Sequence, residues 1–121
     1  LKLVVGVIRP ERLEAVKEAL GAAKVFRLTV SDVQSLEAAD EAGAGASRAA
    51  AAYAGAVAAP RAVRKVKLEI AVNENFVEPT VRAIARAAQL DGGKPGDGKV
   101  FILPLEECVR IRTGERGPEA I

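Results

Sequence analysis

Residues 65–72 read KVKLEIAV. In an extended chain Val66, Leu68, Ile70 and Val72 fall on one face, and Lys65, Lys67 and Glu69 on the other, because strand side chains alternate with a period of two. A strand that is apolar on one side and charged on the other fits a sheet with one covered face and one open face. Antiparallel sheets have that habit, whereas strands of parallel sheets read as unbroken apolar runs.

The flanking segments supply the cover. Downstream, Asn75 with Glu78 three residues later reads as a helix start, and Pro79 is tolerable that early. Val77, Val81, Ile84, Ala85 and Ala88 then trace one helical face to about Leu90. The run DGGKPGDG, 91–98, is turn material. Val100 to Leu103 reads as a strand that Pro104 breaks, and Val109 to Arg112 as a last short one. Upstream, Phe26, Leu28 and Val30 alternate with Arg27, Thr29 and Ser31, a second half-buried strand. Pro10 opens a helix where its missing N–H costs nothing. Leu13, Val16, Ala19 and Leu20 form that helix's apolar face, and Gly21 marks its end. A β-rich run, Leu3 to Ile8, comes first. The order is β-α-β-β-α-β with a final small strand. This is the α+β, ferredoxin-like plan: an antiparallel sheet with both helices on one face.

The two central strands are separated by about 25 residues, from Glu37 to roughly Arg61, where a hairpin needs only two to five. Thirteen of the 22 residues at 38–59 are alanine, interleaved with Gly43, Gly45 and Gly55. A transient helix around Ser47 to Tyr53 would have few large apolar groups to pin it. The segment reads as a movable arm that presents a contact surface.

With 121 residues, half of them apolar, one domain with a real core is expected over 1–121. Eighteen basic residues against sixteen acidic give a net charge of +2, too balanced to argue for nucleic acid or a membrane surface. There is no histidine, which excludes Ser–His and Cys–His catalysis and His-based zinc sites. Cys108 is the single cysteine, so no internal disulfide forms, and its apolar surroundings predict a buried, inert thiol. LKLVVGVIRPER is short for a signal core and reads as a strand of the mature fold. No stretch approaches the length of a transmembrane helix, and a cytoplasmic protein is expected.

The chemistry concentrates at the C-terminal side. Gly96, Asp97, Gly98 and Lys99 spell GDGK. Glycines let backbone N–H groups converge on an anion and let a phosphate approach without meeting a Cβ. Lys99 would add a point charge. Arg110 and Arg112 stand two apart on the expected last strand, so they would share one face, and guanidinium forks match phosphate oxygens. The plain alternative is a turn followed by a strand with solvated charges. No Walker pattern and no strand–GxGxxG–helix is present.

GDGK followed by VFILPLEECVRIRTGERGPEAI resembles the C-terminal signature of the PII family of nitrogen-regulatory signal proteins. IRPERLEAVKEAL with LTVSDV, and the central KVKLEIAV, are similar to that family's other regions, in the right order. The resemblance implies a homotrimer with adenine nucleotides, ATP or ADP, in clefts between subunits. It implies that Gly96, Asp97, Gly98 and Lys99 (within a glycine-rich loop at 91–98) hold phosphates, and that Arg110 and Arg112 reach them from the adjoining subunit. It puts Thr29 and Glu69 near adenine and ribose, and pairs Lys65 with a carboxylate of 2-oxoglutarate. Residues 37–61 correspond to the T-loop, the arm that docks into target proteins, and 113–121 to the C-terminal segment. The family's classical targets are the ammonium transporter and enzymes or regulators of nitrogen assimilation.

The departures fall in the arm. Where the family has a GFGRQKG-type run, this chain reads SLEAADE, 35–41. The glutamine that helps hold Mg²⁺ and 2-oxoglutarate is missing. Glu37, Asp40 and Glu41 in its place would repel an anion or ligate Mg²⁺. The family's YRGAEY becomes YAGAVA, 53–58, so Ala58 replaces the usual uridylylated tyrosine and modification there is chemically impossible. The leading expectation is a signal protein that binds ATP or ADP and regulates a partner through this arm in nitrogen metabolism. The changes argue against 2-oxoglutarate sensing, and the alternative is a sensor of adenylate state, or of another small anion such as bicarbonate, with a target outside the classical set. Ser47 offers a phosphorylatable hydroxyl, with a plain solvated serine as the bland reading. An enzyme, such as a weak ATPase, would need a positioned base, and none is visible. RNA binding, suggested by the shared strand order, would need stacking aromatics beside Lys65, Lys67 and Glu69, and the strand has none.

Overall fold

The computed structural model describes residues 1–38 and 60–121. Its elements are β1 (Lys2–Ile8), a 3-10 turn (Pro10–Arg12), α1 (Leu13–Ala22), β2 (Thr29–Glu37), β3 (Arg61–Val72), α2 (Glu74–Ala88), β4 (Gly98–Pro104) and a second 3-10 turn (Gly117–Ala120). The sheet order is β2-β3-β1-β4, and each neighbouring pair is antiparallel. β3 lies between β1 and β2, so α1 crosses over a strand that enters the sheet later. That is the ferredoxin-like arrangement the sequence predicts.

The alternation of KVKLEIAV is realised: Val66, Leu68, Ile70 and Val72 are buried. They pack with Val4 and Ile8 of β1, Val16 and Leu20 of α1, and Ile84 and Ala88 of α2. Gly6 stands in the same inward row of β1. A Cβ there would lie 3.4 Å from Ile84 Cγ2, so Ile84 of α2 packs directly over this stretch of backbone. On the other face, Leu3 and Val5 of β1 oppose Leu103 and Phe101 of β4. Phe101 is 50% and Leu103 43% exposed, leaving an apolar strip uncovered within the single chain.

Several boundaries differ from expectation. β2 begins at Thr29 and runs to Glu37, later and longer than the Phe26–Ser31 alternation suggests, and Phe26 is exposed. Its extent is set by pairing with β3 down to Glu37↔Arg61 and not by its own pattern. The N-cap position of α2 is Asn73, two residues before the predicted one, and its side chain makes no capping hydrogen bond. Val109 to Arg112 is not a strand. Only a single bridge, Val109↔Arg116, forms there. The chain between folds back through Arg110 N–H to Glu115 O (2.9 Å) and Gly114 N–H to Arg110 O (2.8 Å), a turn for which Gly114 supplies φ 75°. Cys108 is half-buried rather than buried.

Candidate functional site

β1 ends at Ile8, whose register partners are Val66 on β3 and Gly98 on β4. One step further out stand Lys65 on one side and the turn preceding β4 on the other. Both neighbours therefore overrun the end of β1 and meet above it. Lys65 is only 4% exposed. Its Nζ donates to the Gly96 carbonyl at 2.6 Å and lies 3.6 Å from the Glu37 carboxylate. A buried ammonium is tolerated when it is compensated in this way.

The turn is braced from inside. The Asp97 carboxylate accepts from the backbone N–H of Lys94 at 2.7 Å and of Leu90 at 3.3 Å, and from Arg9 Nε at 3.4 Å. The Lys94 N–H, with those of Leu90 and Arg9, holds this carboxyl below the usual aspartate range against the opposing effect of burial. Arg9 Nη2 also donates to the Pro95 carbonyl at 2.7 Å. Gly96 and Gly98 have φ of 89° and 114°. A Cβ on Gly98 would overlap the Val7 carbonyl, so this turn is glycine by necessity. The Asp97 side chain is occupied in holding it, and the Asp97 N–H closes the turn on the Lys94 carbonyl at 3.2 Å. Lys99 follows at the start of β4 with its side chain exposed.

Thr29 and Glu69, expected near adenine and ribose, are direct cross-strand partners. Glu69 pairs with Lys67 at 3.6 Å. Lys65, Lys67 and Glu69 share one side of β3, and Lys65 lies about 13 Å from Glu69 along the strand.

Arg110 and Arg112 are elsewhere. The Arg110 guanidinium donates to the carbonyls of Glu119 (3.2 Å) and Ile121 (3.5 Å) and pairs with Glu115 at 3.5 Å. Pro118 in the same segment accepts from Asn73, which follows the last residue of β3. Arg110 thus lies at the end of the sheet where β1 begins, about 20 Å from Gly98 along β4. Arg112 is exposed in the turn, and with no strand there the two arginines do not share a strand face. One chain therefore does not gather Lys99, Arg110 and Arg112, although they are close in sequence.

Two roles at this site escape sequence reasoning. Arg9 braces the turn, and its only sequence signal is its place immediately after β1. Glu37, expected to repel an anion, neutralises Lys65. Among the described residues no group of three or more His, Cys, Asp or Glu is placed to hold a metal. Asp40, Glu41, Ser47, Tyr53 and Ala58 lie outside the described residues. Among the described residues no helix is long and apolar enough to cross a membrane.

Comparison with known proteins identifies the family. The family model described as Nitrogen regulatory protein P-II matches residues 1–115. Nitrogen regulatory protein GlnK1 of Methanosarcina mazei is 46% identical over 122 aligned positions, covering 100% of this chain and 97% of that protein. Nitrogen regulatory protein P-II 2 of Methanothermobacter thermautotrophicus is 40% identical, covering 100% of this chain and 97% of its own length. Nitrogen regulatory protein P-II of Cereibacter sphaeroides is 39% identical, with both chains covered in full. Aligned end to end with such relatives and folded with the strand order β2-β3-β1-β4, this chain belongs to the PII family of nitrogen-regulatory proteins.

Proposed function

We propose that this protein is a homotrimeric signal protein that binds ATP or ADP between subunits and acts on a partner protein through the segment 37–61. The observation that carries this reading is the bare turn at the end of β1. Gly96 and Gly98 present backbone there, Lys99 stands exposed beside it, and the Thr29–Glu69 pair lies about 13 Å along the same sheet from Lys65. That span suits an extended nucleoside polyphosphate, with phosphates on the turn and base and ribose toward Thr29 and Glu69. The distant Arg110 and Arg112 would complete the site from a neighbouring subunit, and the uncovered strip of Leu3, Val5, Phe101 and Leu103 would be the face that subunits bury. ATP and ADP would shift the partner-binding segment only through their different affinities for its conformations. The role is regulation within nitrogen metabolism rather than catalysis, with a transporter or metabolic enzyme as target.

A sensor of adenylate state without a 2-oxoglutarate response is the second reading, favoured by the Glu37–Lys65 pair. Calorimetric titration with Mg-ATP and with ADP, run beside a measurement of mass in solution, tests the proposal. Saturable binding of one nucleotide per subunit to a trimer is expected. A trimer that takes up neither nucleotide would refute the cradle.

A further inference from the structure

The buried Lys65 ammonium has its charge partner within the same chain. Glu37, the last residue of β2, brings its carboxylate to 3.6 Å from Lys65 Nζ, with side-chain exposures of 15% and 4%. The same ammonium holds the Gly96 carbonyl at 2.6 Å, so one positive charge joins the end of β2 to the glycine turn. At 3.6 Å the pair is close enough to neutralise the charge but longer than a direct charge-assisted hydrogen bond of about 2.7–2.9 Å. A second anion arriving at Lys65 would have to displace Glu37 or share one ammonium with it, and two like charges at a covered site oppose each other strongly.

We propose that Glu37 is a built-in carboxylate ligand of Lys65. It fills the anion position behind the glycine turn from within the chain and so excludes free small carboxylates, 2-oxo acids included. Glu37 is then a specificity-determining residue: it leaves the exposed Lys99 side of the turn open to phosphate while closing the Lys65 side. This deepens the nucleotide reading given above, but its main test needs no nucleotide.

The experiment is chemical rescue. Glu37→Gln keeps the shape and removes the charge, leaving Lys65 buried and uncompensated. Its melting temperature should fall by about 10–20 °C. Sodium formate or acetate should restore much of that loss, whereas sodium chloride at equal ionic strength should not. The native protein should show no such difference between the salts, and adding Lys65→Met to Glu37→Gln should abolish the rescue. If Glu37→Gln does not fold in dilute buffer, refolding in acetate but not in chloride is the expected result. Equal behaviour in the two salts would overturn the proposal, as would a Glu37→Gln variant as stable as the native protein. A several-fold tightening of Mg-ATP binding to the native protein by 2-oxoglutarate would also overturn it. Failure of Mg-ATP to bind at all would count against the nucleotide reading and leave the rescue result to stand alone.

Discussion

Lys99 and Asp97 are two residues apart and do opposite kinds of work. Lys99 is exposed, so its charge adds little to the fold. A charge-assisted bond to phosphate is worth about 1.5–3 kcal/mol. Lys99→Ala should therefore weaken Mg-ATP binding by roughly ten- to hundred-fold and leave the melting temperature unchanged, which calorimetry and a thermal melt check together. Asp97 is spent on the backbone of its own loop. Its carboxyl is held below the ordinary value of 3.8 by the Lys94 and Leu90 N–H groups and by Arg9. Its unfolded form thus binds a proton more readily than its folded form. The stability it contributes is complete above the ordinary carboxylate range and is lost as pH falls from there toward the depressed value. Asp97→Asn should be less stable than the native protein at neutral pH, and the gap should close on acidification. Urea midpoints measured across that range decide it. GDGK announced its glycines plainly, because few positions other than a tight turn favour two of them around an aspartate. That Asp97 faces inward, and that Arg9 and Lys65 meet the same turn, was not legible, since those partners lie 88 and 31 residues away.

At the scale of elements, the apolar pattern was a good guide to what each segment is and a poor one to where it stops. α2 shows both its strength and a flaw. Ile84 is fully buried against Gly6 of β1, so Ile84→Ala removes packing that nothing nearby can refill. It should cost about 2–5 kcal/mol in urea unfolding. Thr80, one turn earlier on the same helix, is also fully buried, yet its Oγ1 has no hydrogen-bond partner. Thr80→Val keeps the volume and removes an unsatisfied hydroxyl. It should be neutral or stabilise by about 1 kcal/mol, and the same urea titration reports it. The expected strand at Val109 to Arg112 failed for a related reason. Alternating side chains do not make a strand unless a neighbour pairs with it, and Arg110 N–H bonds back to Glu115 instead. β2 shows the converse, since its pairing with β3 carries it to Glu37, past the end of its own alternation.

The uncovered strip on the sheet belongs to the whole molecule. Phe101 and Leu103 of β4 lie across from Val5 and Leu3 of β1, and both are substantially exposed in the single chain. If subunits bury this strip, Phe101→Glu places a charge in the interface and should convert the proposed trimer to a folded monomer, as read by light scattering and circular dichroism. Nucleotide binding should fall with it, because Arg110 and Arg112 lie about 20 Å from the glycine turn of their own chain. By itself the sequence determined the β-α-β-β-α-β order, the apolar side of β3 and of both helices, a glycine turn at 96–98, and the absence of histidine chemistry. These are local facts, written in side-chain period and backbone freedom. Only the tertiary structure decided that Lys65, Glu37, Arg9 and Asp97 converge at the end of β1 while Arg110 goes to the other end. Register and strand order bring together residues that are remote in the chain, and no local pattern encodes that.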